Sequence, residues 1–139
     1  MTLEDFERRV MDALLWGNDP LLESLRAQYA AASVRGRELT ASGFVTRFEV
    51  PPSVPAIDRR LLHLDDLHVA LTGADTPCET SLQVRKGRLS TLDCSLYEGS
   101  FPENPEITEA WFYGTERYPD ITPELLAERD FEELLEDDD

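Results

Sequence analysis

A chain of 139 residues with 41% hydrophobic residues is long enough to form a core without disulfides or metal ions. Its formal net charge of -16 disfavours nucleic acid as a partner, because a phosphate backbone requires a basic surface. No apolar run approaches the roughly 20 residues of a membrane-spanning helix, and the first residues lack the basic and apolar regions of a signal peptide. These features predict a cytoplasmic protein without membrane contact.

The beginning of the chain predicts two helices. Thr2 is a suitable N-cap, and apolar residues follow it at helical spacing until Gly17. Asp19 and Pro20 are a typical N-cap and first helical residue, and they open a second helix that continues to about Ala31. Because each helix has one apolar side, we expect both to pack on a sheet.

The middle of the chain predicts an antiparallel meander of about five strands. Polar and apolar residues alternate through each strand, and turns or short loops separate them. The last strand needs a β-bulge near Ser90 and Thr91, since Leu89 is out of phase with the apolar residues that follow. Residues 51–60 include three prolines and should form a loop over the sheet edge. The predicted strands cover residues 34–40, 43–50, 67–71, 80–84 and 89–96.

The strand over residues 43–50 should lie at the centre of the core. Phe44, Phe48 and Val50 share one face, and Arg47 and Glu49 lie on the other. We expect the two phenylalanines to hold the helices against the sheet.

The last third of the chain is acidic and aromatic. Residues 98–139 hold 2 basic and 15 acidic side chains, a net charge of -13. We expect an irregular segment with a short strand or helical turn near residues 110–113. Thr122 and Pro123 then predict a helix to about Leu135.

These elements predict an α+β fold with two domain-level parts. Residues 1–120 should form a single α+β domain, and residues 121–139 an acidic C-terminal helix with a frayed tail. Fraying is expected because three aspartates lie at the helix C-terminus, where the helix dipole favours cations.

No sequence motif indicates catalysis or a cofactor. Five residues apart on one strand, His63 and His68 should lie on opposite faces, and no third His or Cys completes a zinc site. Cys78 and Cys94 flank a hairpin turn, where a cross-strand disulfide is conceivable, but two small buried thiols are the favoured interpretation. We therefore expect no metal, no cofactor and no catalytic residue.

The aromatic and acidic residues of the last third are the candidate interaction site. Trp and Tyr beside charged residues are typical of interaction hot spots, and clustered carboxylates steer a basic partner. We predict a non-enzymatic protein–protein interaction protein, such as an immunity-type inhibitor, whose partner is a basic protein. The predicted partner-binding residues are Trp111, Tyr113, Tyr118, Glu106, Glu109 and Glu116.

Several alternatives stay open at this point. Trp111 and Phe112 can instead close the end of the core, and the acidic tail can fold onto the eight arginines of residues 1–60. The chain can be a nucleic-acid mimic if its carboxylates are spaced like phosphates. It can also be a small-molecule-binding protein or enzyme with a pocket between the 51–60 loop and the sheet. The candidate residues of that pocket are Arg47, His63 and His68.

Two runs of sequence, Leu39–Val50 and Gly87–Pro102, resemble a pattern found in small bacterial α+β proteins. In that group a Gly-Phe-x-Thr-x-Phe type of strand is followed later by Gly-Arg-Leu, a Leu-x-Tyr strand and a Glu-Trp-Pro type of turn. Here Ser100, Phe101 and Pro102 depart from the form of that turn. The resemblance implies an α+β fold and brings no activity or site residues.

Overall fold

Two helices precede a seven-stranded antiparallel sheet and two short helices follow it in the computed structural model, which describes residues 1–137. The helices are α1 (Leu3–Leu14), α2 (Pro20–Ala31), α3 (Pro123–Ala127) and α4 (Phe131–Asp137). The strands are β1 (Ser33–Leu39), β2 (Gly43–Glu49), β3 (Leu61–Leu64), β4 (Leu67–Leu71), β5 (Cys78–Arg85), β6 (Arg88–Leu96) and β7 (Ile107–Phe112). The α+β class, the two N-terminal helices and the antiparallel sheet are confirmed.

Both N-terminal helices begin at the expected caps. The Thr2 side chain accepts a hydrogen bond from the Asp5 amide at 3.1 Å, and the Asp19 side chain accepts one from the Leu21 amide at 2.8 Å. These bonds satisfy amide groups that have no partner within the first turn of a helix. The apolar side of α1 is fully buried and consists of Phe6, Val10, Met11 and Leu14.

The sheet has seven strands and is not a five-stranded meander. Its order is β1-β2-β6-β5-β4-β7, and β3 pairs with β5 next to β4. The hairpin of β5 and β6 therefore inserts beside β2, and β7 adds a further edge. The prediction of strand number failed at two places. For β7 only a short strand or helical turn near residues 110–113 was expected, and β3 was missed because β3 and β4 are two short parts of one interrupted strand. Both parts pair along the eight-residue β5, and Asp65 and Asp66 lie between them.

The turn of the β5–β6 hairpin and the β-bulge in β6 lie where the sequence predicts them. Lys86 and Gly87 both have positive φ angles, 54° and 75°, as a two-residue hairpin turn requires. The pairing shifts so that Gln83 faces Thr91 and Val84 faces Leu89, which leaves Ser90 as the extra residue. This bulge keeps the apolar side chains of β6 on one face.

Loop 51–60 packs against the turn of this hairpin. The guanidinium of Arg88 donates to the carbonyls of Pro51 and Val54 at 3.1 and 2.7 Å. The buried Gln28 amide of α2 donates to the carbonyls of Pro55 and Gly87 at 3.1 and 3.0 Å. These four bonds tie the loop to the turn of the hairpin.

The core lies between the sheet and helices α1 and α2. Phe44 of β2 meets Phe6 of α1 edge to face, with ring centroids 6.3 Å apart. Phe48 meets Tyr29 of α2 in the same way at 5.9 Å. Cys78 and Cys94 are free thiols in this core. Burial, followed by the hydrogen bond with Cys78, raises the pKa of the Cys94 thiol well above its usual value.

The C-terminal region forms two short helices, so the expectation of one helix to Leu135 is wrong. The chain leaves α3 at Glu128, and the Asp130 side chain then accepts a hydrogen bond from the Glu133 amide at 3.0 Å. This bond caps α4 as a new helix. Leu125 of α3 is fully buried in the same hydrophobic cluster as the sheet. The frayed tail was predicted partly for Asp138 and Asp139, which lie outside the described residues.

Candidate functional site

The sheet face that points away from α1 and α2, here called the outer face, carries polar side chains on its two central strands. Glu79 and Ser81 of β5 lie opposite Ser95 and Asp93 of β6, respectively. They alternate with buried residues that face the helices. Two carboxylates therefore stand on neighbouring strands at the middle of the outer face.

The interruption between β3 and β4 changes which residues reach the outer face. Leu64 pairs with Leu82, whereas His68 pairs with Glu79, so the pairing shifts by one residue between them. The buried residues are Leu64 before the interruption and Leu67 after it. His63 and His68 consequently both belong to the outer face. The prediction that they lie on opposite faces is wrong because it assumed an unbroken strand.

A cavity of about 640 Å³, here called the acidic pocket, opens on the outer face. Six of its lining side chains are carboxylates, and no Lys or Arg lines it within residues 1–137. A lining rich in carboxylates attracts cations and repels anions. The lining residues are Asp65, Asp66, His68, Glu79, Thr80, Ser81, Asp93, Ser95, Tyr113, Asp130, Glu133 and Leu134.

A buried ion pair fixes one wall of the acidic pocket. The Arg129 guanidinium donates to both carboxylate oxygens of Asp66, at 2.8 and 2.9 Å, and also to the Leu14 carbonyl at 2.6 Å. The side chains of Arg129 and Asp66 are only 2% and 9% exposed. The guanidinium also lies 5.0 Å from the centre of the Phe112 ring. These contacts hold the segment that begins α4 against the interrupted strand.

An aromatic stack stands beside the pocket. Trp111 of β7 stacks on its cross-strand neighbour His68, with ring centroids 5.7 Å apart and planes 17° apart. The Arg117 guanidinium lies 4.1 Å from the Trp111 ring centre and 3.8 Å from a Glu109 carboxylate oxygen. Cation–π and charge attraction thus order the side chains next to the pocket.

The other predicted partner-binding residues are dispersed. Tyr113 is 81% exposed and lines the acidic pocket, and its amide donates to the Asp66 carbonyl at 2.8 Å. Glu106 is paired with the ammonium group of Met1. Glu116 is exposed and does not line the acidic pocket. The structure thus brings Trp111, Tyr113 and Glu109 to the region of the pocket and leaves Glu106 elsewhere.

Tyr118 has a specific local partner. Its backbone pairs with Ala110 of β7, and its hydroxyl donates to a Glu128 carboxylate oxygen at 2.8 Å. The hydrogen bond with Glu128 raises the pKa of Tyr118 to about 12. Tyr118 therefore links the segment after β7 to the end of α3.

Two of the residues proposed for a pocket at the 51–60 loop, Arg47 and His68, lie in different parts of the sheet. His68 lines the acidic pocket, whereas Arg47 lies 3.5 Å from Glu38 on the β1–β2 hairpin. Arginines of residues 1–60 also contact the C-terminal third. Arg9 lies 2.9 Å from Asp120, and Arg59 donates to the Leu135 carbonyl at 2.7 Å.

Comparisons with protein-family models, with curated proteins and with solved structures find no match to the chain. The described part of the chain contains no group of three or more His, Cys, Asp or Glu residues placed to hold a metal ion. Among the helices of residues 1–137, none is long and apolar enough to cross a membrane.

Glu79 and Asp93, the pocket carboxylates on β5 and β6, are not among the residues predicted from the sequence. A usable signal was present, because polar residues alternate along both strands of a predicted hairpin and must share one face. No such signal marks Asp130 and Glu133, which reach the pocket only because α4 folds back to the sheet.

Proposed function

We propose that this protein is a non-enzymatic binding protein and that a basic protein docks on its acidic pocket. The observation that carries the proposal is the lining of the pocket, which has six carboxylates and no Lys or Arg among the described residues. An Arg or Lys side chain of a partner pairs with the exposed carboxylates of this lining, Glu79, Asp93 and Glu133. Immunity-type inhibition of a basic enzyme or toxin is the form of this function that the overall charge of -16 favours.

The residues around the pocket support binding of a protein surface. Tyr113 exposes 81% of its surface at the pocket wall, and the half-buried Trp111 lies behind His68 on the same face. Exposed aromatic side chains supply apolar contact area at interfaces, and carboxylates around them select basic partners. We expect the long-range charge to set the association rate and the aromatic contacts to set the lifetime of the complex.

Matched substitutions test this proposal more clearly than truncation. A chain ending at Gly114 would lose the buried Leu125 and Arg129, so it would lose core contacts together with charge. The test variant combines Glu79→Gln, Asp93→Asn and Glu133→Gln, which removes three exposed pocket charges. The control variant combines Glu23→Gln, Glu98→Gln and Glu103→Gln, which removes three exposed charges elsewhere.

The measurement is affinity capture from the native host with the unmodified protein and both variants, followed by titration with the recovered partner. We expect the pocket variant to bind a basic partner at least about tenfold more weakly than the control variant, since each lost contact is charge-assisted. Affinity should also fall between low and physiological salt. Equal affinities of the two variants, or a partner that is not basic, would contradict the proposal.

A further inference from the structure

A second cavity lies on the other side of the sheet, between the start of α1, the end of α2 and strand β1. It has a volume of about 530 Å³ and is here called the Glu7 cleft. Its polar lining includes Glu4, Glu7, Arg8 and Arg37, and its aromatic lining is Tyr29 and Phe48. Since α1 and β1 separate it from the outer face, it is distinct from the acidic pocket.

Glu7 carries an incompletely paired carboxylate in this cleft. Its side chain is only 8% exposed, and its Oε2 atom accepts a hydrogen bond from Arg37 at 2.7 Å. Its Oε1 atom is buried, and within residues 1–137 no donor reaches it. A buried carboxylate oxygen without a donor is unfavourable, so an atom of this kind at a cavity indicates a bound donor.

Arg37 is not placed to donate to Oε1 as well. Its Nε atom donates to the Thr46 hydroxyl at 3.3 Å, and its NH2 group is used by the other oxygen of Glu7. Its remaining nitrogen lies 3.8 Å from Glu4. Among residues 1–137, therefore, no side chain supplies a donor for Oε1, and a molecule in the cleft is the candidate donor.

The charge and the apolar walls of the cleft narrow the class of ligand. Three carboxylates, including that of Asp5, face two guanidinium groups, so a ligand with one positive charge makes the lining neutral. Tyr29 and the buried Phe48 meet edge to face at the aromatic wall, and the Arg8 guanidinium lies 5.9 Å from the centre of the Tyr29 ring. Burial raises the pKa of Tyr29, Arg8 lowers it, and Asp12 and Glu7 raise it, which places the Glu7 carboxylate within electrostatic reach of the ring.

We propose that the Glu7 cleft binds a small molecule with a primary ammonium group on an aromatic or apolar body. The Glu7 carboxylate turns towards the cleft so that the ammonium can donate to Oε1, and the body packs on the exposed part of Tyr29 beside Phe48. This is a function additional to the docking of a basic protein. Recognition of this ligand depends on an N–H donor of its ammonium group and not on its positive charge alone.

A pair of probes tests the donor requirement on the unmodified protein. 2-Phenylethylamine and its N,N,N-trimethyl derivative have the same ring and the same positive charge, but only the first can donate a hydrogen bond. Calorimetric titration should give saturable binding of the primary amine and binding at least about tenfold weaker for the trimethyl compound. Equal binding of the two probes, or no saturable binding up to about 10 mM, would mean that Oε1 is paired with a buried water only.

Two matched variants locate the site. Glu7→Gln removes the buried charge, and Glu4→Gln removes a charge at the exposed rim of the same cleft. We expect Glu7→Gln to weaken amine binding at least about tenfold and Glu4→Gln to weaken it less than about threefold. Similar losses in both variants would overturn the assignment to Oε1. The triple pocket variant, altered on the outer face, should bind the amine normally, so the two proposals can fail separately.

Discussion

Two arginine–carboxylate pairs hold this fold together in different ways. Arg129 and Asp66 form two parallel hydrogen bonds, and a third bond joins Arg129 to the Leu14 carbonyl. Arg37 and Glu7 form one bond and leave a buried oxygen without a donor. A pair in which both carboxylate oxygens accept hydrogen bonds is a structural anchor. A pair that leaves one oxygen without a donor beside a cavity is suited to a ligand. The difference between the two pairs can be measured.

The largest effect should follow removal of Arg129. Arg129→Met keeps an apolar chain near Phe112 but leaves Asp66 buried without its cation. We expect the free energy of unfolding to fall by about 3 to 5 kcal/mol, as for other broken buried pairs. Chemical denaturation of the two proteins measures this free energy. The control is Arg117→Met, whose pair with Glu109 is exposed and should contribute less than about 1 kcal/mol. Equal losses would show that the buried pair is not an anchor.

A smaller effect should distinguish the two carboxylates. Asp66→Asn and Glu7→Gln both replace a buried carboxylate with an amide beside an arginine. Asp66→Asn should destabilise the protein by about 3 kcal/mol, because it removes a bidentate charged partner. Glu7→Gln should change stability by less than about 1 kcal/mol, because Arg37 is 23% exposed and keeps Glu4 as a charged neighbour at 3.8 Å. A loss of similar size in the two variants would assign Glu7 a structural role.

The smallest effect concerns the exposed bond between Tyr118 and Glu128. The Tyr118 pKa of about 12 lies above the usual value of 10.0, so the folded state holds the phenolic proton more tightly than the unfolded state. Its contribution to stability is complete below pH 10 and is lost as the pH rises towards 12. Ultraviolet titration of the phenolate should show the raised pKa, and Glu128→Gln should move it back towards 10.0. An unchanged titration curve in that variant would remove Glu128 as the cause.

Local patterns in the sequence were sufficient to predict the structural features that depend only on neighbouring residues. The caps at Thr2 and Asp19, the turn at Lys86 and the bulge at Ser90 each follow from a few adjacent side chains. Strand order did not follow, because β2 could pair with any later strand of suitable length.

The candidate sites depended even more on distant contacts. Arg129 and Asp66 are 63 residues apart, and nothing near either residue indicates the other. Arg37 and Glu7 are 30 residues apart and meet only because β1 lies beside α1. The C-terminal helix prediction failed for a local reason that was visible, since Asp130 is three residues before Glu133 and can cap a new helix.

The interruption at Asp65 and Asp66 has a consequence for insertions and deletions in this chain. A chain one residue shorter at this point could run a regular strand from Leu61 to Leu71 with the same leucines in the core. In that shorter strand, the carboxylate of Asp66 would no longer be placed to pair with Arg129. A deletion here would thus spare the sheet and remove the anchor of the segment that begins α4, so the length of this strand, more than its composition, decides whether Arg129 has its partner.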